Sequence, residues 1–225
     1  MLVNKILNDQ LLNQLPVPGK TGIDWYFFCW FLNRYKNTNM LEIGAGDGGS
    51  TLSMAAFAKH LTVIDSWDQN WPKENVEILT KKYNASVTYI DKKSHEVKSN
   101  DLLNFSIAHL DANKDYQHVI NDLELVSNIS KIICVDDYLQ SMWPEVTWAV
   151  DYWLTVSNWR RIFISNHQVF LAKNDVPIKE IVVNWSVINR GHGYHLTYGP
   201  FDNSPLVQRF IDAGDMTYTW HTNQQ

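Results

Sequence analysis

The stretch Asn39–His60, NMLEIGAGDGGSTLSMAAFAKH, constrains this chain more than any other. A short apolar run meets four glycines within six positions, Gly44 to Gly49, and then a small-residue segment with helical character. Glycine tolerates backbone angles that a Cβ forbids, so such a turn lets the main chain press close to a ligand or to another strand. A strand, a glycine turn and a helix in that order form the opening unit of an open, mostly parallel α/β sheet. The rest of the chain must be compatible with that beginning.

Short apolar runs continue to alternate with longer amphipathic ones. LTVID, SVTYI, FSIAHLD and KIICVDD read as strands, while WPKENVEILTKKYN, DYQHVINDLELVSN and EVTWAVDYWLTVSN read as helices. WRRIFIS and QVFLAK then follow as two strands joined at a turn near Asn166. The pattern predicts a doubly wound α/β fold: a mostly parallel sheet covered on both faces, with an antiparallel strand pair at its end. With 225 residues the chain is long enough for one domain with a full core. The expected organisation is an N-terminal helical extension over 1–18, the α/β domain over 19–174, and a loop or lid over 175–225 with a short helix at PLVQRFIDAG.

Composition narrows the function classes. Net charge is −5 and there is no block of lysines or arginines, so nothing matches a nucleic-acid backbone. The greasiest early segment, IDWYFFCWFLNRY, is too short to cross a bilayer and reads as a buried helix. No signal peptide is evident, and Cys29 and Cys134 sit in apolar runs without metal-type spacing, which together predict a reduced cytoplasmic protein. The ten tryptophans point first to core and subunit-interface packing, as in a homo-oligomer, and second to pocket walls. His192 and His195 could be metal ligands, although a solvated or stacked role is the commoner use of such histidines.

The glycine loop parses in two ways. Gly44, Gly46 and Gly49 satisfy the dinucleotide signature G-x-G-x-x-G, whereas Glu42, Gly44, Gly46 and Gly48 satisfy E-x-G-x-G-x-G, the signature of S-adenosylmethionine (SAM) binding. Glu42 favours the second, because a carboxylate in a strand covered on both faces needs a partner and a sulfonium cation nearby would serve. An edge position or a salt bridge to a lysine is the alternative for it. Asp65 closes the second strand about where an acid would accept ribose hydroxyls, which both parses require. It could equally cap the next helix.

Asp111, Asp136 and Asp137 fall at the C-terminal ends of two strands, the edge of an open α/β sheet where ligands bind. Three converging carboxylates repel one another unless a cation lies between them, and oxygen ligands select a hard ion such as Mg²⁺. The alternative is that two of them cap helices and the third is solvated. Lys114, three residues past Asp111, is placed to act as a general base whose pKa burial and a nearby metal would lower.

With these residues assembled, the chain resembles the cation-dependent O-methyltransferases of the catechol and caffeoyl-CoA type. LEIGAGDGGS, VIDSW, VTYIDKKSHE, LDANKDY and VDDY occur in that family's order and approximate spacing over residues 19–173. The resemblance implies that Glu42, Gly44, Gly46, Gly48 and Asp65 hold SAM, that Ser94 and His95 lie beside its adenine, and that Asp111, Asp136 and Asp137 hold Mg²⁺ or a similar cation. It implies Lys114 as the base and a small-molecule hydroxyl as the methyl acceptor. Asp137 stands where that family has asparagine; the Asp-Asp pair is similar to macrocin-type sugar O-methyltransferases, which carry histidine in place of Lys114. A NAD-dependent oxidoreductase and a SAM-binding module without turnover are the rival expectations.

Overall fold

The structure is a computed structural model that describes residues 23–68, 73–81, 85–164 and 167–176, with the backbone of three further strands at 184–189, 192–197 and 217–218. Seven strands form one sheet: β1 Asn39–Ile43, β2 His60–Asp65, β3 Ser86–Asp91, β4 Phe105–Leu110, β5 Ser130–Val135, β6 Trp159–Ile164 and β7 Val169–Lys173. Their spatial order is β3-β2-β1-β4-β5-β7-β6. The first five run parallel, and β7 is antiparallel to both β5 and β6. This is the doubly wound sheet with an antiparallel end that the alternation predicts. The chain winds outward from β1 to β3, then returns to place β4 on the other side of β1. Ligands bind where the winding reverses, at the carboxyl ends of β1 and β4.

Helices α1 Ile23–Arg34, α2 Gly49–Phe57, α3 Lys73–Lys81, α4 Tyr116–Ser127 and α5 Pro144–Val156 link or flank these strands. Strand parity divides the core. Met40, Leu61, Val63, Ile107, Ile132 and Cys134 face one layer, where Phe28, Cys29, Phe31 and Leu32 of α1 and Leu52 and Met54 of α2 pack. Leu41, Ile43, Ala108, Leu110, Ile133 and Val135 face the other, against Val119, Leu123 and Val126 of α4 and Val146, Ala149 and Val150 of α5. Each fully buried large side chain removes enough apolar surface from water to contribute about 1.5–3 kcal/mol. Pro144 opens α5, where its fixed φ and missing N–H cost nothing. No helix among the described residues is long and apolar enough to cross a membrane.

Cys29 and Cys134 are both buried and pack in the core. The tryptophans are divided: Trp153 and Trp159 pack together in the core with ring centroids 5.7 Å apart, whereas Trp148 is exposed. The segment expected as an irregular lid contains strands β8 Asn184–Asn189 and β9 His192–Thr197, paired antiparallel, with β10 Thr217–Tyr218 added to β8. NWSVIN and GYHLT carry β-branched and aromatic residues on either side of Arg190-Gly191, a hairpin signal that the surrounding Gly, His and Asn content masks. The helix expected at PLVQRFIDAG, the extension over 1–18 and the side chains of His192, His195, Trp71 and Trp185 lie outside the described residues.

Candidate active site

The glycine loop resolves its own ambiguity. Gly44, Gly46 and Gly48 have φ of 87°, 51° and 89°, the left-handed region that L side chains rarely adopt. Gly49 is the first residue of α2 and does not share that conformation. The conformationally demanding glycines are therefore those of E-x-G-x-G-x-G, and Gly49 belongs to the helix. At Gly44 a Cβ would stand 2.4 Å from the carbonyl oxygen of Asp111, so the β1 and β4 loops touch only because position 44 is glycine.

A cavity of about 670 Å³ opens over this contact. One end is lined by Gly44, Gly46, Asp65, Trp67, Ser94 and His95, and the other by Asp111, Lys114, Asp137 and Trp143. Such a volume suits a cofactor together with a small ligand. Asp65 organises the first end. Its Oδ2 accepts the N–H of Ala45 at 2.7 Å and of Gly46 at 3.3 Å, and its Oδ1 accepts the N–H of Trp67 at 2.7 Å. These bonds tie the tip of β2 to the glycine loop, and a carboxylate retains further acceptor sites for a ligand. Asp65 is thus not a helix cap.

Ser94 and His95 form a single 3₁₀ turn with Glu96 on the cavity wall. Behind them Asp122 of α4 is buried, with Oδ1 lacking a hydrogen-bond partner. Burial pushes its carboxyl up to about 6, against the opposing effects of a hydrogen bond from Ser94 and the nearness of His118, His95 and Lys114. His118 also lines the cavity, with its ring centroid 6.1 Å from that of His95.

At the other end Lys114 lies between two acids. Its Nζ is 2.6 Å from Asp111 Oδ1 and 2.7 Å from Asp137 Oδ2. Burial acts to lower the pKa of this amine, but the charges of Asp111, Asp137 and Asp136 and the hydrogen bond to Asp111 outweigh it, and the net shift is upward. The expectation of a lowered Lys114 pKa is corrected accordingly: in this arrangement it is an ammonium. Asp136 Oδ1 accepts the N–H of Asp137, which sits at φ 61°. The left-handed backbone at Asp137 turns consecutive acids in different directions.

Glu42 does not line the cavity. It lies in central strand β1, fully buried, where its Oε2 accepts the hydroxyl of Thr51 from α2 and its Oε1 is 3.5 Å from His109 Nδ1. Neither the sulfonium, an edge position nor a lysine accounts for it. The sequence pattern does not single out His118, Asp122 or His109, whereas Trp67 and Trp143 are among the loop tryptophans it offers as pocket walls. Asp122 carried a signal, since it falls on the helix face defined by Val119, Leu123 and Val126.

Residues 41–138 match a family model described as a methyltransferase domain. This region is therefore similar to methyltransferase domains. Solved structures share its fold at low sequence identity. The O-methyltransferase NovP is 15% identical, with a TM-score of 0.54 over 65% of this chain and 78% of its own. CalS11, a TDP-rhamnose 3'-O-methyltransferase of calicheamicin biosynthesis, is 11% identical, with a TM-score of 0.52 over 77% of this chain and 93% of its own. An rRNA methylase from Streptococcus thermophilus is 12% identical, with a TM-score of 0.54 over 69% of this chain and 99% of its own. No curated protein matches the chain in sequence. The chain therefore shares its fold with solved methyltransferases, and those neighbours differ in the substrates their names give.

Proposed function

We propose that this domain transfers the methyl group of SAM to a hydroxyl of a small-molecule acceptor, with help from a divalent cation such as Mg²⁺. The observation that carries the reading is the single cavity that joins the glycine loop, Asp65, Ser94 and His95 to the Asp111–Lys114–Asp137 cluster. The first end supports a nucleoside, with Gly44 and Gly46 offering close backbone, Asp65 the ribose hydroxyls, and Ser94 and His95 the adenine. In this reading the reactive methyl lies toward the acids.

The donors at the strand ends fit a divalent ion: Asp111 and Asp136 are only partly exposed carboxylates, and fully buried His109 nearby has no hydrogen-bond partner on either ring nitrogen. A cation held there would lower the pKa of the acceptor hydroxyl and fix its oxygen. The chain's own groups do the rest. The Lys114 ammonium binds the acceptor oxygen as negative charge builds on it. The Asp137 carboxylate, held beside that ammonium, takes the hydroxyl proton. The oxygen forms its bond to the methyl carbon as the carbon–sulfur bond breaks, and the electron pair neutralises the sulfonium. Trp67 and Trp143 keep the reacting centre poor in water, which favours a step that disperses charge.

A net charge of −5 favours a small acceptor over an RNA backbone. The test is transfer of labelled methyl from SAM to a panel of catechols, sugars and hydroxylated metabolites, with and without EDTA. Full transfer in EDTA would remove the cation from the mechanism. Asp137→Asn should lower kcat by about 10²–10⁴-fold while leaving SAM affinity unchanged; an unaltered kcat would return the base to Lys114.

A further inference from the structure

Two fully buried polar residues lie beside the cavity without adequate partners. His109 on β4 and Glu42 on β1 are register neighbours, both at 0% exposure. Neither ring nitrogen of His109 has a hydrogen-bond partner, and Glu42 Oε1 also lacks one, although it is 3.5 Å from His109 Nδ1. Phe28 covers the imidazole with ring centroids 4.7 Å apart. Burying unsatisfied polar atoms in a sheet interior costs free energy that a purely structural role would avoid with an apolar residue. A third observation gives them a purpose. A ring nitrogen of His109 and one carboxylate oxygen each from Asp111 and Asp136 all lie within 4.8 Å of one another.

We infer that His109 is a metal ligand, completing a nitrogen-containing site with Asp111 and Asp136, and that Glu42 holds the other imidazole nitrogen. The inference rests on the cation-assisted reading above and specifies its ligands. Strand parity puts His109 and Asp111 on one side of β4, and Asp136 follows the neighbouring strand β5, whose Cys134 is in register with His109. Donor atoms within 4.8 Å of one another are near the spacing at which three ligands share one ion. A carboxylate on the far nitrogen of a ligating histidine fixes the tautomer and raises ligand basicity; Glu42 Oε1, 3.5 Å from His109 Nδ1, takes that role when Nε2 ligates the ion. Asp137 is left with Lys114, its partner at 2.7 Å. An imidazole also changes the ion. Oxygen donors alone suit Mg²⁺, whereas one nitrogen with two carboxylates favours Mn²⁺, Co²⁺ or Zn²⁺.

Mn²⁺ is the probe. The full chain, stripped with chelator and free of SAM, is titrated with Mn²⁺ by electron paramagnetic resonance, and the bound ion is examined by electron spin-echo modulation. The expected result is bound Mn²⁺ coupled to a directly ligating ¹⁴N, replaced by the ¹⁵N pattern in protein grown on ¹⁵N-histidine. Glu42→Gln should weaken Mn²⁺ by about 10–100-fold, and Asp137→Asn should leave its affinity within twofold. Because the isotope experiment uses the native chain, it does not depend on a His109 variant folding. Bound Mn²⁺ without histidine coupling overturns the inference but leaves a cation site made of oxygen donors. Absence of Mn²⁺ binding at millimolar concentration overturns both.

Discussion

Replacing Gly44 and Gly46 separately by alanine separates two physical effects that the glycine loop combines. Both positions have positive φ, 87° and 51°, so either alanine bears the left-handed strain of about 1–2 kcal/mol. At Gly46 nothing lies within 4 Å of the added Cβ, and strain is the whole cost. At Gly44 the Cβ would meet Asp111 O at 2.4 Å, Asp111 C at 2.6 Å and Ala112 N at 2.6 Å, all of them backbone. No side-chain rotation relieves that contact, so the loop after β4 must move, at an overpacking cost of about 1–3 kcal/mol more. For a chain of this length each kcal/mol lowers Tm by about 2–4 °C. Gly44→Ala should therefore melt about 2–12 °C below Gly46→Ala, read by calorimetry or circular dichroism without SAM. It should also lose methyl transfer more severely, because the displaced segment carries Asp111. Equal melting temperatures would refute the close approach of the two loops, and with it the way this site is assembled.

Asp65→Asn should weaken SAM binding by about ten- to hundredfold in calorimetry, since charge-assisted hydrogen bonds contribute about 1.5–3 kcal/mol; unchanged affinity in a folded variant would move the ribose elsewhere. Asp122 gives a pH prediction with an uncommon sign. Its carboxyl rises from 3.8 to about 6 on folding, chiefly through burial, so between those values the folded state binds more protons than the unfolded state. Stability should fall as pH rises through that window, by an amount on the order of 3 kcal/mol, and should level off above it. Asp122→Asn should flatten this contribution in urea titrations at pH 4 and pH 7, and a variant with the same pH slope as the native chain would show that Asp122 is not its source.

The fold was legible because its sheet is covered on both faces. Strands such as LTVID and KIICVDD then become nearly continuous apolar runs, and the helices between them need only one apolar stripe. The acids were legible for the same reason, since Asp65, Asp111 and Asp136 each stand where an apolar run stops. The state of the cluster was not. Whether Lys114 reaches the acids depends on how the segment before α4 folds, and the ammonium between Asp111 and Asp137 supplies part of the positive charge that the sequence reading assigned wholly to a metal. The β8–β9 hairpin was missed because local composition outweighed a short alternating pattern.

Glu42 shows where motif reading and strand physics diverge. As the first letter of E-x-G-x-G-x-G it is read together with the glycines, yet strand alternation gives it the parity of Met40, which faces the α1–α2 layer. Ile43, of opposite parity, reaches the cavity wall instead. On β4, His109 likewise shares the parity of Ile107 in that same layer. Glu42 precedes Gly44 by two positions, and His109 precedes Asp111 by two, in strands that are register neighbours. The two buried polar residues therefore meet one layer beneath the contact between Gly44 and Asp111. Thr51 extends the link into α2 through its hydrogen bond to Glu42. The helix that follows the glycine loop and the acid that closes β4 are thus joined through one buried pair. Any substitution that breaks this pair should disturb the cofactor end and the acidic end of the cavity together.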